Sequence, residues 1–202
     1  MTKNYEGVPS IEIDEYWNDQ WGSIVETLLE PIDKGLNVDA KYFPLGGYLR
    51  EKMPIIPDLF SIQYWFCTSV IREAIERLEP SRHKFHPFTL RDVENKKTVK
   101  ELFIINILDP IDLLDVSNSQ NLDVYTDLAG KRGVALNPAY LSMEKREISL
   151  RDDGTQKRHL WLGPGAYGPG KAFVSDELHE VILQHDIEPS PLKFYRTKRN
   201  LH

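Results

Sequence analysis

One pattern occurs twice in this chain and limits what it can fold into. The first copy is Phe66-Cys-Thr-Ser-Val-Ile-Arg-Glu-Ala-Ile-Glu-Arg-Leu78, followed by Glu79-Pro-Ser-Arg-His-Lys-Phe85. The second is Phe173-Val-Ser-Asp-Glu-Leu-His-Glu-Val-Ile-Leu-Gln-His185, which reaches Glu188-Pro-Ser-Pro-Leu-Lys-Phe194 after Asp186 and Ile187 are inserted. Phe66 and Phe173, Glu73 and Glu180, Ile75 and Ile182, and the Glu-Pro-Ser-x-x-Lys-Phe tails coincide. Each copy spells an apolar lead-in, a hydroxyl cap, an amphipathic helix, a proline stop and a short strand. Two such helix–strand units with strand-like runs between them predict an α+β fold. Its sheet is mixed or antiparallel, with helices packed on it.

In the first unit Val70, Ile71, Ala74, Ile75 and Leu78 form a helical stripe, with Thr68 or Ser69 as cap. Pro80 ends that helix, Lys84–Leu90 runs extended, and Pro87 restricts the strand to a sheet edge. In the second unit Leu178, Val181, Ile182 and His185 share a face, and Leu192–Tyr195 returns to a sheet. Between the units, Leu102-Phe-Ile-Ile-Asn-Ile-Leu108 is a short, nearly continuous apolar run, the signature of a strand covered on both faces. Asp152-Asp-Gly-Thr155 reads as a hairpin turn joining 147–151 to 156–162.

Upstream, Asn18–Glu30 sets Trp21, Ile24, Val25, Leu28 and Leu29 at helical spacing until Pro31 stops the pattern. Residues 42–58 carry Pro44, Gly46, Gly47, Pro54 and Pro57, which favours a long ordered loop. The expected organisation is an aromatic-rich N-terminal segment over 1–56, a main α+β domain over 57–196 and a frayed polar tail over 197–202.

The apolar fraction of 41% supports a packed core, and the formal net charge of −6 argues against nucleic acid as partner. Cys67 is the single cysteine, so no disulfide forms within the chain. The first ten residues lack the apolar centre of a signal peptide, and no run approaches the roughly 18 apolar residues of a membrane span. The expected location is a reducing cytoplasm, with no membrane partner.

Reactive constellations are weak. Gly165-Ala-Tyr-Gly-Pro-Gly-Lys171 matches the start of a phosphate-binding loop, but Ala172 stands where the magnesium-holding hydroxyl belongs. Ala172–Val174 reads as a strand where a helix should begin, and Pro169 removes a backbone donor. His83 and His86, three apart on an extended segment, point to opposite faces and cannot readily share a metal. Cys67 with a distant histidine has the ingredients of a nucleophile and base, yet its place between Phe66 and Thr68 suits a small packed hydrophobe. Asp109, Asp112 and Asp115 fit turn chemistry. No catalytic residue, cofactor or metal site is expected.

A different signal lies in Glu12-Ile-Asp-Glu-Tyr-Trp-Asn-Asp-Gln-Trp21, where Glu12, Asp14, Glu15 and Asp19 interleave with Tyr16, Trp17 and Trp21. Aromatic anchors among carboxylates suit docking to a basic protein. The alternative is that the aromatics enter the core and the acids are solvated.

Pro57-Asp-Leu-Phe60, Trp65–Ile71, Phe85-His-Pro-Phe88, Leu102–Leu108 leading to Asp115-Val-Ser117, Phe173–Leu178 and Leu192-Lys-Phe194 together span residues 57–196. This stretch resembles a bacterial immunity family of polymorphic toxin systems, the eleventh in the numbered series, with a myxobacterial prototype and formerly a domain of unknown function. Pro189-Ser-Pro191 stands where that family often has glycine before the last strand. The resemblance implies a cytoplasmic, non-catalytic protein that binds and neutralises a cognate effector, often one delivered by type VI or contact-dependent secretion. It brings no catalytic residues with it. The rival functions are a small hydrolase that reverses a toxin's modification, and a non-catalytic regulatory subunit.

Overall fold

The computed structural model describes residues 9–14, 25–51, 53, 55–108, 115–120, 123–126, 132–135, 148–151, 158–162, 172–185 and 198–200. Six strands form its main sheet: β1 (Ile11–Ile13), β2 (Gly46–Leu49), β3 (Leu59–Ser61), β4 (Trp65–Cys67), β5 (Lys84–Asp92) and β6 (Thr98–Asn106). Their order is β1-β2-β5-β6-β4-β3, with β2 and β5 parallel and every other neighbour antiparallel. The expected mixed sheet with packed helices is what forms.

Alternation along the strands separates two cores. Leu49, Phe66, Phe88, Leu90, Leu102 and Ile104 face one side and meet Leu28, Ile32, Val38, Phe43 and Ile56 from the N-terminal part of the chain. Cys67, Ile105 and Leu59 face the other side and meet the helices. The apolar run in β6 is therefore covered on both faces, as its composition predicts.

The N-terminal helix departs from expectation. A π-helical turn over Val25–Leu29 passes into α1 (Glu30–Asp33), which carries Pro31 in its first turn, where the missing N–H is tolerated. Gly35 closes it instead, at φ 65°: Gly35 N–H donates to Ile32 O at 2.9 Å and Leu36 N–H to Pro31 O at 2.9 Å, the paired bonds of a Schellman end.

The stretch expected to be loop holds β2. Two glycines conceal a strand in the sequence, because they lower β-propensity, but the packing requires them. A Cβ on Gly47 would lie 2.6 Å from Glu12 O and 3.0 Å from Phe88, and one on Gly46 would lie 2.8 Å from Thr89 O. Gly47→Ala is therefore expected to cost about 1–3 kcal/mol through forced backbone shifts. Chemical denaturation measures this, and an unchanged midpoint would contradict so tight a seat.

Pro87 sits in an interior strand, not at a sheet edge. It is accommodated because β2 pairs only with Thr89–Asp92, beyond the proline. One residue earlier, His86 stacks on Phe43 with ring centroids 3.6 Å apart. Burial, reinforced by nearby Lys84, holds the His86 imidazole below its usual value of 6.5. A depressed histidine stabilises the fold fully above pH 6.5, and that contribution is lost as pH falls through the folded value. His86→Phe, which keeps the stack, should weaken the fall in urea midpoint between pH 7 and 5.5. An equal fall in both proteins rules the assignment out.

The second core reveals how far the duplication extends. In unit one, the β3–β4 hairpin leads through Thr68 into α2 (Ser69–Leu78). In unit two, β10 (Leu160–Leu162) and β11 (Ala172–Val174) lead through Ser175 into α3 (Asp176–His185). Registers match: Leu59↔Cys67, Phe60↔Phe66 and Ser61↔Trp65 against Leu160↔Val174, Trp161↔Phe173 and Leu162↔Ala172. Phe60 and Phe66 stack at 5.2 Å, Trp161 and Phe173 at 5.5 Å. Thr68 N–H donates to Asp58 O at 3.0 Å, and Ser175 N–H to His159 O at 2.9 Å. Leu59, Cys67, Ile71 and Ile75 of unit one then share a core with Leu160, Val174, Leu178 and Ile182 of unit two. The repeated element is thus a hairpin, a cap and a helix.

The remaining strands are short. β7 (Asp123–Thr126) pairs with β8 (Arg132–Ala135), and β9 (Ser149–Arg151) pairs in parallel with β12 (Lys198–Asn200). The tail expected to fray therefore contributes a strand. The hairpin expected around residues 152–155 falls on a turn outside the described residues, as does Leu192–Tyr195; of the described flanks, β9 pairs with β12 and β10 with β11.

Candidate functional site

The acidic–aromatic segment begins on the sheet edge. β1 turns Ile11 and Ile13 to the core and leaves Glu12 exposed, opposite Tyr48 of β2. Glu12 meets Arg50 at 3.3 Å, and Asp14 accepts a hydrogen bond from Arg91 at 2.8 Å. Tyr48 carries the Lys96 ammonium 4.0 Å from its ring centre. Two of the four carboxylates singled out in the sequence are thus paired with the chain's own arginines. Such half-exposed pairs contribute about 0–1 kcal/mol each. Glu15, Tyr16, Trp17, Asp19 and Trp21 lie outside the described residues.

A second cluster, missed in the sequence, is buried where the two units meet. Glu79 caps the end of α2, and its side chain is 1% exposed. Leu108 N–H donates to His83 Nδ1 at 3.3 Å, so the ring proton sits on Nε2 and is donated to Glu79 Oε2 at 2.9 Å. The same oxygen accepts from Leu160 N–H at 2.9 Å, and Arg82 approaches the other oxygen at 3.5 Å. Burial pushes the Glu79 carboxyl up. The hydrogen bonds from His83 and from the His159 and Leu160 backbones more than offset it, leaving the carboxyl below its usual value.

Nearby, Ser175 Oγ accepts from Leu178 N–H at 3.1 Å as the α3 cap and lies 2.8 Å from His159 Nδ1. Glu177 approaches the same ring nitrogen at 3.2 Å. A serine, a histidine and a glutamate thus meet, but the serine is buried and engaged as a helix cap. This arrangement holds structure and offers no exposed nucleophile. The equivalent Thr68 makes no side-chain cap bond. A glutamate beside a helix-ending proline is visible in the sequence. Its burial is not, because Leu160 is 81 positions away.

The other candidates resolve simply. Cys67 is fully buried and burial pushes its thiol up, which leaves it inert. Asp115 accepts from Ser117 Oγ at 2.6 Å and Asn118 Nδ2 at 2.7 Å, the turn chemistry expected of it; Asp109 and Asp112 lie outside the described residues. Gly165–Lys171 also lies outside them, but it joins antiparallel β10 and β11, with α3 starting only after Ser175. That is not the strand–loop–helix path of a phosphate loop. His83 and His86 serve different surroundings, one bound to Glu79 and the other stacked on Phe43. Among the described residues, no group of three or more His, Cys, Asp or Glu could hold a metal, and no helix is long and apolar enough to cross a membrane.

Residues 25–198 match the model of the immunity protein family Imm11. The chain belongs to that family. The match takes in both hairpin–helix units and the whole of β2–β11, and it begins well upstream of the residues 57–196 that carry the resemblance. Imm11 membership links the chain to toxin neutralisation and gives it a cognate toxin as partner. The chain matches none of the curated proteins.

Proposed function

We propose that this Imm11 protein neutralises one bacterial toxin by binding it and occluding its working surface, without chemistry of its own. Family membership over residues 25–198 carries this reading. His83, His86, His159, Cys67 and Glu79 support it, since each is engaged in packing or in hydrogen bonds within the fold. The proposed partner is basic, matching the chain's net charge of −6, and the proposed place of action is the cytoplasm of a cell facing effectors delivered by type VI or contact-dependent secretion.

Within this reading the toxin docks on the acidic–aromatic segment. Arg50 and Arg91 already engage Glu12 and Asp14. The contact therefore falls chiefly to Glu15, Tyr16, Trp17, Asp19 and Trp21, with the aromatics as anchors. Co-expression with the neighbouring effector gene tests the function: protected cells support it, and unprotected cells with both proteins present reject it. Alanine at Tyr16 and Trp17 should abolish capture of the toxin, leaving the chain folded. Undiminished capture moves the docking surface elsewhere.

A further inference from the structure

The two hairpin–helix units share one apolar core, yet unit two brings its own two-stranded sheet and is not a continuation of the main sheet. The Glu79 carboxylate bridges them: it takes the Leu160 N–H of unit two and the His83 ring proton on the same oxygen. We propose that the Glu79–His83 pair is an acid-sensitive latch that locks unit two, β10–β11–α3, onto the rest of the fold.

The geometry makes the latch depend on the ionised form. Both hydrogen bonds to Oε2 come from donors that cannot reverse: a backbone N–H, and a ring N–H fixed in place by Leu108. Protonating the carboxylate weakens both at once, in a site too enclosed for water to replace them. The charged and titratable groups around Glu79 are Arg82 and His83 on its own loop and His159 from unit two, with Glu177 of α3 beyond His159. Arg82 lies 3.5 Å from the other carboxylate oxygen, and Glu177, which is largely exposed, meets the His159 ring and not Glu79. Because folding holds the carboxyl below 4.5, acid acts against the folded arrangement.

Opening is then local. Unit two separates from Leu59, Ile71 and Ile75, while the Phe60–Phe66–Phe88 core on the opposite face of the sheet stays closed. This goes beyond the binding role proposed above and does not depend on it.

Native-state hydrogen exchange on the full chain, corrected for the intrinsic effect of pH, tests the latch. Between pH 7 and pH 3, amides of Leu160–Leu162 and Leu178–Ile182 should exchange several-fold faster, while those of Phe88–Leu90 and Leu102–Ile104 hold. Glu79→Gln should show the fast pattern already at pH 7 and lose its pH dependence, whereas Glu177→Gln should behave as the parent. Equal acceleration in both cores, or acid-driven opening that persists in Glu79→Gln, overturns the proposal. If the Gln variant fails to fold, the comparison of the two cores in the unaltered chain decides the matter by itself.

Discussion

Phe66→Ala is expected to lower the stability of this protein by about 3–5 kcal/mol, and its melting temperature by roughly 10 °C. Phe66 is completely buried and stands at the centre of an aromatic cluster. It stacks on Phe60 at 5.2 Å and meets Phe88 at 4.9 Å and Tyr64 at 6.1 Å edge-on. Its removal loses the transfer energy of a phenyl ring and leaves a cavity walled by three large side chains, each held by its own strand or turn, so collapse is limited. The equivalent Phe173→Ala is expected to cost clearly less, because Phe173 is only half-buried and, among the described residues, stacks on Trp161. Urea unfolding of the pair provides the check. Equal losses would mean that the two units are equally embedded, contrary to the separate character of unit two.

Glu79→Ala is the second large effect, expected at about 3 kcal/mol at pH 7. It strands the His83 ring N–H and the Leu160 N–H without an acceptor, and a buried donor left unpaired costs about 1–3 kcal/mol. Glu177→Ala, at an exposed position, should change stability by no more than about 0.5 kcal/mol. The pH dependence has a definite sign. A carboxyl held below 4.5 in the fold contributes fully above that value, and its contribution is lost as pH falls through the folded value. The gap between parent and Glu79→Ala in urea midpoint should therefore narrow on going from pH 7 to pH 3.5. A gap that stays constant would show that the carboxylate's charge has no part in the junction.

Much of this architecture is legible in the residues because the helices and the central strand are local patterns. The stripe Ile71, Ala74, Ile75 fixes the buried face of α2, and Leu102–Leu108 announces a strand wanted on both sides. What escapes is decided by distant partners. β2 hides behind two glycines whose value lies in the closeness of Glu12 and Thr89. Pro87 is tolerated in an interior strand because its neighbour starts two residues later. The N-terminal helix passes Pro31 because a proline in a first turn removes no bond that the helix needs. The first half of each hairpin is invisible as a repeat, since Leu59-Phe-Ser61 and Leu160-Trp-Leu162 agree in pairing and barely in identity.

The same distinction applies to the site. Interleaved acids and aromatics near Glu12 are conspicuous in the sequence, yet only the fold reveals that Arg50 and Arg91, supplied by other segments, meet Glu12 and Asp14. Conversely Glu79, His83, His159 and Ser175 look unremarkable one by one, and become a junction only when residues from the two units are brought together.

The central claim is inhibition by coverage, and a titration of the toxin's activity with the purified chain tests it most directly. Activity should fall in a straight line to zero near one equivalent, independent of incubation time, and return when the complex is dissociated. Time-dependent, substoichiometric loss that survives removal of this protein would contradict the account, because one molecule would then be disarming many.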